Sequence, residues 1–145
     1  MLAGEAQLEG ETLDVRIPSE VRHIELVVAE VVLRCEAWHF SRQQVALNVP
    51  VALTEALSNA ILRGNREDPS KSVRVRGEVN SRQLVLEVSD EGTGFDLDAC
   101  TGDPTTEANL QREDGRGLFL MRRLMDRVER FTDGGNVVRL VLNRA

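Results

Sequence analysis

Glu55 and Asn59 stand four residues apart in Thr54-Glu55-Ala56-Leu57-Ser58-Asn59-Ala60, a spacing that puts both on one face of a helix. A carboxylate and a carboxamide oxygen are hard acceptors, suited to a magnesium ion and its waters. Ala56 and Ala60 are small and leave room for a ligand to approach. An exposed polar pair on an amphipathic helix is the plainer reading of the same pattern. A second segment, Asp90-Glu91-Gly92-Thr93-Gly94-Phe95, sets an aspartate where a strand runs out. An ionised aspartate accepts hydrogen bonds, for instance from the exocyclic amine of adenine. Gly92 and Gly94 let the backbone turn sharply and come close to a flat ligand. A surface turn has the same composition. The third segment is Asp114-Gly115-Arg116-Gly117-Leu118-Phe119-Leu120-Met121. A Gly-x-Gly that opens a helix gathers free N–H groups and the positive dipole end, which suits phosphate, although it also fits a loop end. Alone, each segment is ambiguous. In this order they supply a metal and catalytic face, an adenine acceptor and a phosphate cradle. A long loop joins the second to the third, where a lid over a nucleotide would lie.

The elements that must position these groups are readable from periodicity. Leu13, Val15 and Ile17 alternate with polar residues and predict a strand over 12–17. Pro18-Ser19 ends it, with Ser19 as a helix N-cap. Val21, Ile24, Val28, Val31 and Cys35 recur at helical spacing. A second helix carries Val51 to Leu62 and stops at Gly64. Pro50 either lies in its first turn, with Asn48 as cap, or kinks a longer helix begun near Ser41. Asp68-Pro69-Ser70 marks a turn. Residues 72–89 read as a hairpin, 96–114 as a long loop, and about Gly117–Met125 as a helix. Val128–Phe131 and Val137–Leu142 are the last strands. Paired strands beside grouped helices predict an α+β, two-layer α/β sandwich with a mixed or antiparallel sheet.

The chain has 145 residues, 41% of them hydrophobic, which suits one domain: a flexible tail over 1–10 and a single unit over 11–145. No run of consecutive apolar residues approaches the ~20 needed to cross a bilayer, and the start shows no signal peptide, so a cytoplasmic location without membrane contact is expected. A net charge of -6 argues against direct nucleic-acid binding. Cys35 and Cys100, and His23 and His39, match no zinc spacing. Arg122, Arg123, Arg127 and Arg130 gather in one segment, either as a solvated face or as a docking patch for an acidic partner.

The three segments resemble the N, G1 and G2 boxes of the GHKL (Bergerat-fold) ATPase superfamily: "TEALSNAILRGNREDPS" at 54–70, "SDEGTGFD" at 89–96 and "DGRGLFLMRRLMDRV" at 114–128. The last is similar to the stand-alone anti-sigma-factor serine/threonine kinases, in which Gly-x-Gly-Leu-x-x-Met leads into Leu-Met-Asp. The resemblance implies a histidine-kinase-like ATPase sandwich, with a mostly antiparallel sheet covered on one face by about three helices and an ATP lid at about 96–114. It implies an ATP- and magnesium-dependent serine kinase. Glu55 would be the general base, Asn59 the magnesium ligand and Asp90 the adenine acceptor. Gly92 and Gly94 would shape the adenine pocket, while Gly115, Arg116, Gly117 and Leu118 would lie along the phosphates. It also implies a sigma factor held inactive, a STAS-domain anti-anti-sigma protein as phosphoacceptor, and a homodimer. A nucleotide-gated binding module without kinase activity is the alternative. The chain departs from the family at Arg63, where histidine is common. Arg112, then Arg116, are the cations the lid region offers to a terminal phosphate.

Overall fold

The computed structural model describes residues 9–92 and 113–145, with the side chains of 113–116 left outside the description. Strand β1 (Gly10–Pro18) leads through a 3-10 turn (Val21–His23) into helix α1 (Ile24–Ala37). Helix α2 (Val49–Asn59) is flanked by two π-helical turns, Gln44–Asn48 and Ala60–Gly64. The hairpin β2 (Ser72–Asn80) and β3 (Gln83–Ser89) follows, then helix α3 (Glu113–Leu124) and strands β4 (Arg127–Thr132) and β5 (Asn136–Asn143). The strands form one sheet in the order β1-β2-β3-β5-β4, and every pairing is antiparallel.

Alternation decides which face of the sheet meets the helices. Val73, Val75 and Val79 of β2, Leu84, Leu86 and Val88 of β3, and Val138, Leu140 and Leu142 of β5 point to one side. They join Ile24, Val27, Val31 and Cys35 of α1, Leu53, Leu57 and Ile61 of the α2 run, and Leu118, Met121 and Met125 in a single core. The other face is largely polar, although Val137 and Val141 are buried on it. There Arg74 makes a two-pronged ion pair with Asp14 (2.9 and 2.6 Å), and Arg139 bridges Glu87 and Glu129. The result is the expected two-layer α+β sandwich.

Two local expectations are corrected, and one open alternative is decided. Ser19 does not cap α1. Its buried hydroxyl instead donates to the Lys71 carbonyl at 2.7 Å, a tertiary bond that takes the oxygen away from the helix. Pro50 belongs to the longer helix that starts just after Ser41. The π-turn Gln44–Asn48 widens the backbone ahead of the proline, which cannot donate an N–H. Asn48 is helical and caps nothing. The merged run Gln44–Gly64 has 21 residues and a mean hydropathy of 1.4, long and apolar enough by length and composition to cross a membrane. In this fold its apolar side, including Val49, Leu53, Ala56, Leu57 and Ile61, is buried in the core. Finally, α3 is already helical at Glu113, so Gly115 and Gly117 lie within it and do not open it. Residues 1–8 of the expected tail lie outside the described residues, and β1 starts at Gly10.

Helix α1 ends without glycine. His39 takes φ 66°, while its N–H and that of Phe40 donate to the carbonyls of Glu36 and Cys35. This is the closure in which glycine is normally used. A side chain in the left-handed region costs about 1 kcal/mol, so His39→Gly is expected to raise the thermal midpoint by a few degrees, measurable by circular dichroism. An unchanged or lower midpoint would show that the left-handed turn carries no such cost.

Candidate functional site

The α2–α3 contact brings two of the three chemical segments together. Glu55 and Asn59 lie one turn apart on α2, Glu55 half-buried and Asn59 only 8% exposed. Gly117 of α3 rests directly on them. A β-carbon placed there would lie 3.3 Å from Glu55 Oε2 and 3.3 Å from Asn59 Nδ2. Only a residue without a side chain allows this approach at no cost. Asn59 Nδ2 is fully buried, yet it has no hydrogen-bond partner among the described residues. A buried amide left unpaired costs about 1–3 kcal/mol, which a ligand polar atom at this spot would relieve. The donor set fits a magnesium ion: hard oxygens one helical turn apart, with phosphate oxygens and water to complete the shell. Among the described residues no cluster of three His, Cys, Asp or Glu could hold a metal unaided.

The third group, Asp90, sits at the end of β3 and is 8% exposed. Its N–H donates to the Asn136 carbonyl at 3.0 Å, extending the β3–β5 ladder. Its Oδ1 accepts from the Gly92 N–H at 2.8 Å and from both the backbone N–H and the side-chain amide of Asn136 at 3.2 Å. Among the described residues all hydrogen bonds to this carboxylate fall on Oδ1. Oδ2 faces Gly64, where a β-carbon would overlap the carboxylate. A β-carbon on Gly92 would overlap the Gly64 carbonyl, and one on Gly135 the Asp90 carbonyl. Burial raises the Asp90 pKa above its ordinary value of 3.8, against the lowering effect of the bonds from Gly92 and Asn136. The site therefore carries a desolvated carboxylate with one oxygen committed to the fold.

The π-turn Ala60–Gly64 links the two halves. It begins immediately after Asn59 and delivers Gly64 against Asp90. Such π-turns recur at functional sites. The next residue, Asn65, is 1% exposed and ties three distant segments. Its amide donates to Ser19 Oγ and to the Ser72 carbonyl, both at 2.9 Å, and its Oδ1 accepts from the Glu91 N–H at 2.7 Å. The chain then runs through two left-handed residues, Arg66 (φ 53°) and Glu67 (φ 57°). Asn65→Ala strands buried polar groups on three sides, at about 1–3 kcal/mol. It is expected to lower the denaturant midpoint and to weaken nucleotide binding by loosening the Asp90 turn. Unchanged nucleotide affinity in the folded variant would separate Asn65 from the site.

The sequence reading did not single out Gly64, Asn65, Gly135 or Asn136 as site residues. Gly64 read as a helix stop, and Gly135-Asn136 as part of a turn. Gly94, Cys100, Arg112 and most of the expected lid lie outside the described residues. Gly115 and Arg116 belong to the α3 backbone. The Leu118 side chain is 1% exposed and packs in the core, away from solvent. Arg63 is exposed and makes no hydrogen bond or ion pair among the described residues. The other reactive side chains have structural roles: His23 meets Glu20 at 3.2 Å, and burial pushes the Cys35 thiol up to about 12.

Comparison with known proteins agrees with this geometry. The family model of the histidine kinase-like ATPase domain matches residues 17–142. An anti-sigma F factor of Clostridium beijerinckii is 33% identical over 101 residues, covering 67% of this chain and 68% of that protein. Serine-protein kinase RsbW of Bacillus subtilis is 35% identical over 86 residues, covering 56% of this chain and 54% of that protein, so this match spans little more than half of that relative. The crystal structure of the RsbU and RsbW domains of a Mycobacterium tuberculosis protein superposes with a TM-score of 0.66 at 14% identity, covering 93% of this chain and 33% of that one. This last likeness bears on the fold alone. With its three segments in order, its antiparallel sandwich and a family match over most of its length, this chain belongs to the histidine kinase-like ATPase domain family.

Proposed function

We propose that the chain is an ATP-dependent serine protein kinase that also acts as an anti-sigma factor. Its phosphoacceptor would be a STAS-domain anti-anti-sigma protein and its sequestered partner a sigma factor. The family resemblance further implies a cytoplasmic homodimer. The observation that carries the reading is the seat of Gly117 against Glu55 and Asn59, which sets a carboxylate, an unpaired amide and a bare stretch of helix in one place.

The geometry supports these roles. Asp90 Oδ2 accepts a hydrogen bond from the adenine amine, while Oδ1 stays committed to Gly92 and Asn136. Gly92 keeps that turn tight, and Gly94 is assigned the neighbouring wall. Gly117, with Gly115 and the Arg116 and Leu118 backbone, gives the phosphates access to α3. Asn59 Oδ1 would hold magnesium, which when bound supplies charge neutralisation on the phosphate oxygens. Glu55 takes the proton from the serine hydroxyl as the phosphorus–oxygen bond forms, and ADP departs with the electron pair of the broken bond. No residue of this chain is phosphorylated on the way.

Incubation with ATP, magnesium and a purified STAS-domain protein of the source organism tests the proposal. The expected product is acid-stable phosphoserine on the STAS protein. Nucleotide-dependent binding without any phosphoprotein would instead identify a gated binding module. Acid-labile phosphate would identify a histidine-directed kinase.

A further inference from the structure

A serine can reach Glu55 only if the protein that carries it covers the surface around that residue. This surface is the solvent side of the α2–α3 pair. Two contacts fix the helices as antiparallel: Gly117 against Glu55 and Asn59, and the Asn48 amide donating to the Leu124 carbonyl at 2.7 Å. Between these contacts Leu120 lies alongside α2, whose half-buried Val51 stands one turn before Glu55. Leu120 is 36% exposed, and Leu47, one turn before Val51, is 43% exposed. Further out on α3, Phe119 is exposed with the Arg123 guanidinium 5.8 Å from its ring centre. Arg123, one turn on from Leu120, is exposed and meets no carboxylate among the described residues, although the chain has 24 acids against 18 lysines and arginines. Exposed apolar side chains beside an exposed arginine are the composition that protein interfaces gather.

We infer that this strip docks the phosphoacceptor protein, whose facing surface presents an apolar side chain to Leu47, Val51 and Leu120 and a carboxylate to Arg123. The inference rests on the serine-kinase reading above. The choice of occupant comes from position. The strip begins at Glu55, so a protein seated on it delivers its own residues to the proposed base. The positive charge of Arg123 selects an acidic face and gives binding a dependence on salt.

The test is the steady-state kinetics of phosphate transfer to the STAS-domain protein that the unmodified chain phosphorylates. Arg123→Glu and, separately, Leu120→Asp should each raise KM for that protein about tenfold or more, with kcat at saturation and ATP affinity within about twofold. The control Arg82→Glu makes the same charge change on the β2–β3 hairpin and should leave KM in place. Raised salt should raise KM for the unmodified chain and have less effect on the Arg123→Glu variant. An unchanged KM, a KM shift matched by the control, or a change in oligomeric mass without a change in KM overturns the docking strip and leaves the kinase reading intact. Failure of the unmodified chain to phosphorylate any STAS-domain protein of the source organism overturns the kinase reading, and the strip with it.

Discussion

Glu55→Ala is expected to lower phosphate transfer to a protein serine by about 10²- to 10⁴-fold, the usual contribution of a positioned general base. Nucleotide affinity should stay within a few-fold. Glu55 lies on the Gly117 side of the site, away from Asp90, the proposed adenine acceptor. Glu55→Gln preserves the shape of the side chain and removes its basicity, so it should lose nearly as much activity. A glutamine variant with normal turnover, measured by phosphoserine formation under saturating ATP, would show that Glu55 only fills space.

Asp90→Asn should have an equally large effect on binding and an opposite effect on the empty fold. An asparagine oxygen can still accept the bonds from Gly92 and Asn136 at the Oδ1 position. The other atom becomes an N–H₂ donor that faces the adenine amine, donor against donor. Sites built around a buried hydrogen bond reject a mismatched group strongly, and ATP affinity should fall by about 10²-fold or more. The sign for stability follows from burial. Asp90 has its folded-state pKa raised, so ionisation opposes folding. The neutral form is favoured by folding below the ordinary value of 3.8, and that advantage is lost as pH rises through the raised folded value. Asparagine never ionises, so the ligand-free variant should melt at or above the parent near neutral pH. In the parent, ATP affinity should decline on acidification with a midpoint above 3.8. A variant that binds ATP normally would remove Asp90 as the purine anchor.

Much of this architecture was readable from periodicity because a two-residue repeat leaves little choice. Val73, Val75, Leu84 and Leu86 can enter a core only as the paired strands they form. The Glu55–Asn59 pair was readable because a four-residue spacing has one meaning on a helix. Features set by distant partners were not. Ser19 has the chemistry of a cap, but its hydroxyl is taken by Lys71, 52 residues away. Asn65 resembles any asparagine after a helix until Ser19, Ser72 and Glu91 close around it. Gly64 reads as a helix stop. Its role as a wall of the Asp90 pocket depends on a π-turn that no local pattern announces. The inclusion of Gly115 and Gly117 within α3 belongs to the same class, since a glycine pair suits a loop end as well as a helix.

The central claim is that Asn59, Asp90 and Gly117, from three separate parts of the chain, border one nucleotide. Titration of uniformly ¹⁵N-labelled protein with magnesium ATP tests it most directly, followed through the amide signals of these residues and of Gly92 and Asn136. All five are expected to shift along one saturating curve with a single affinity, and the Asn59 side-chain amide should move with them. Saturation that leaves the Gly117 and Asn59 signals in place while Asp90 and Gly92 respond, or no response at any of the five, would contradict the account.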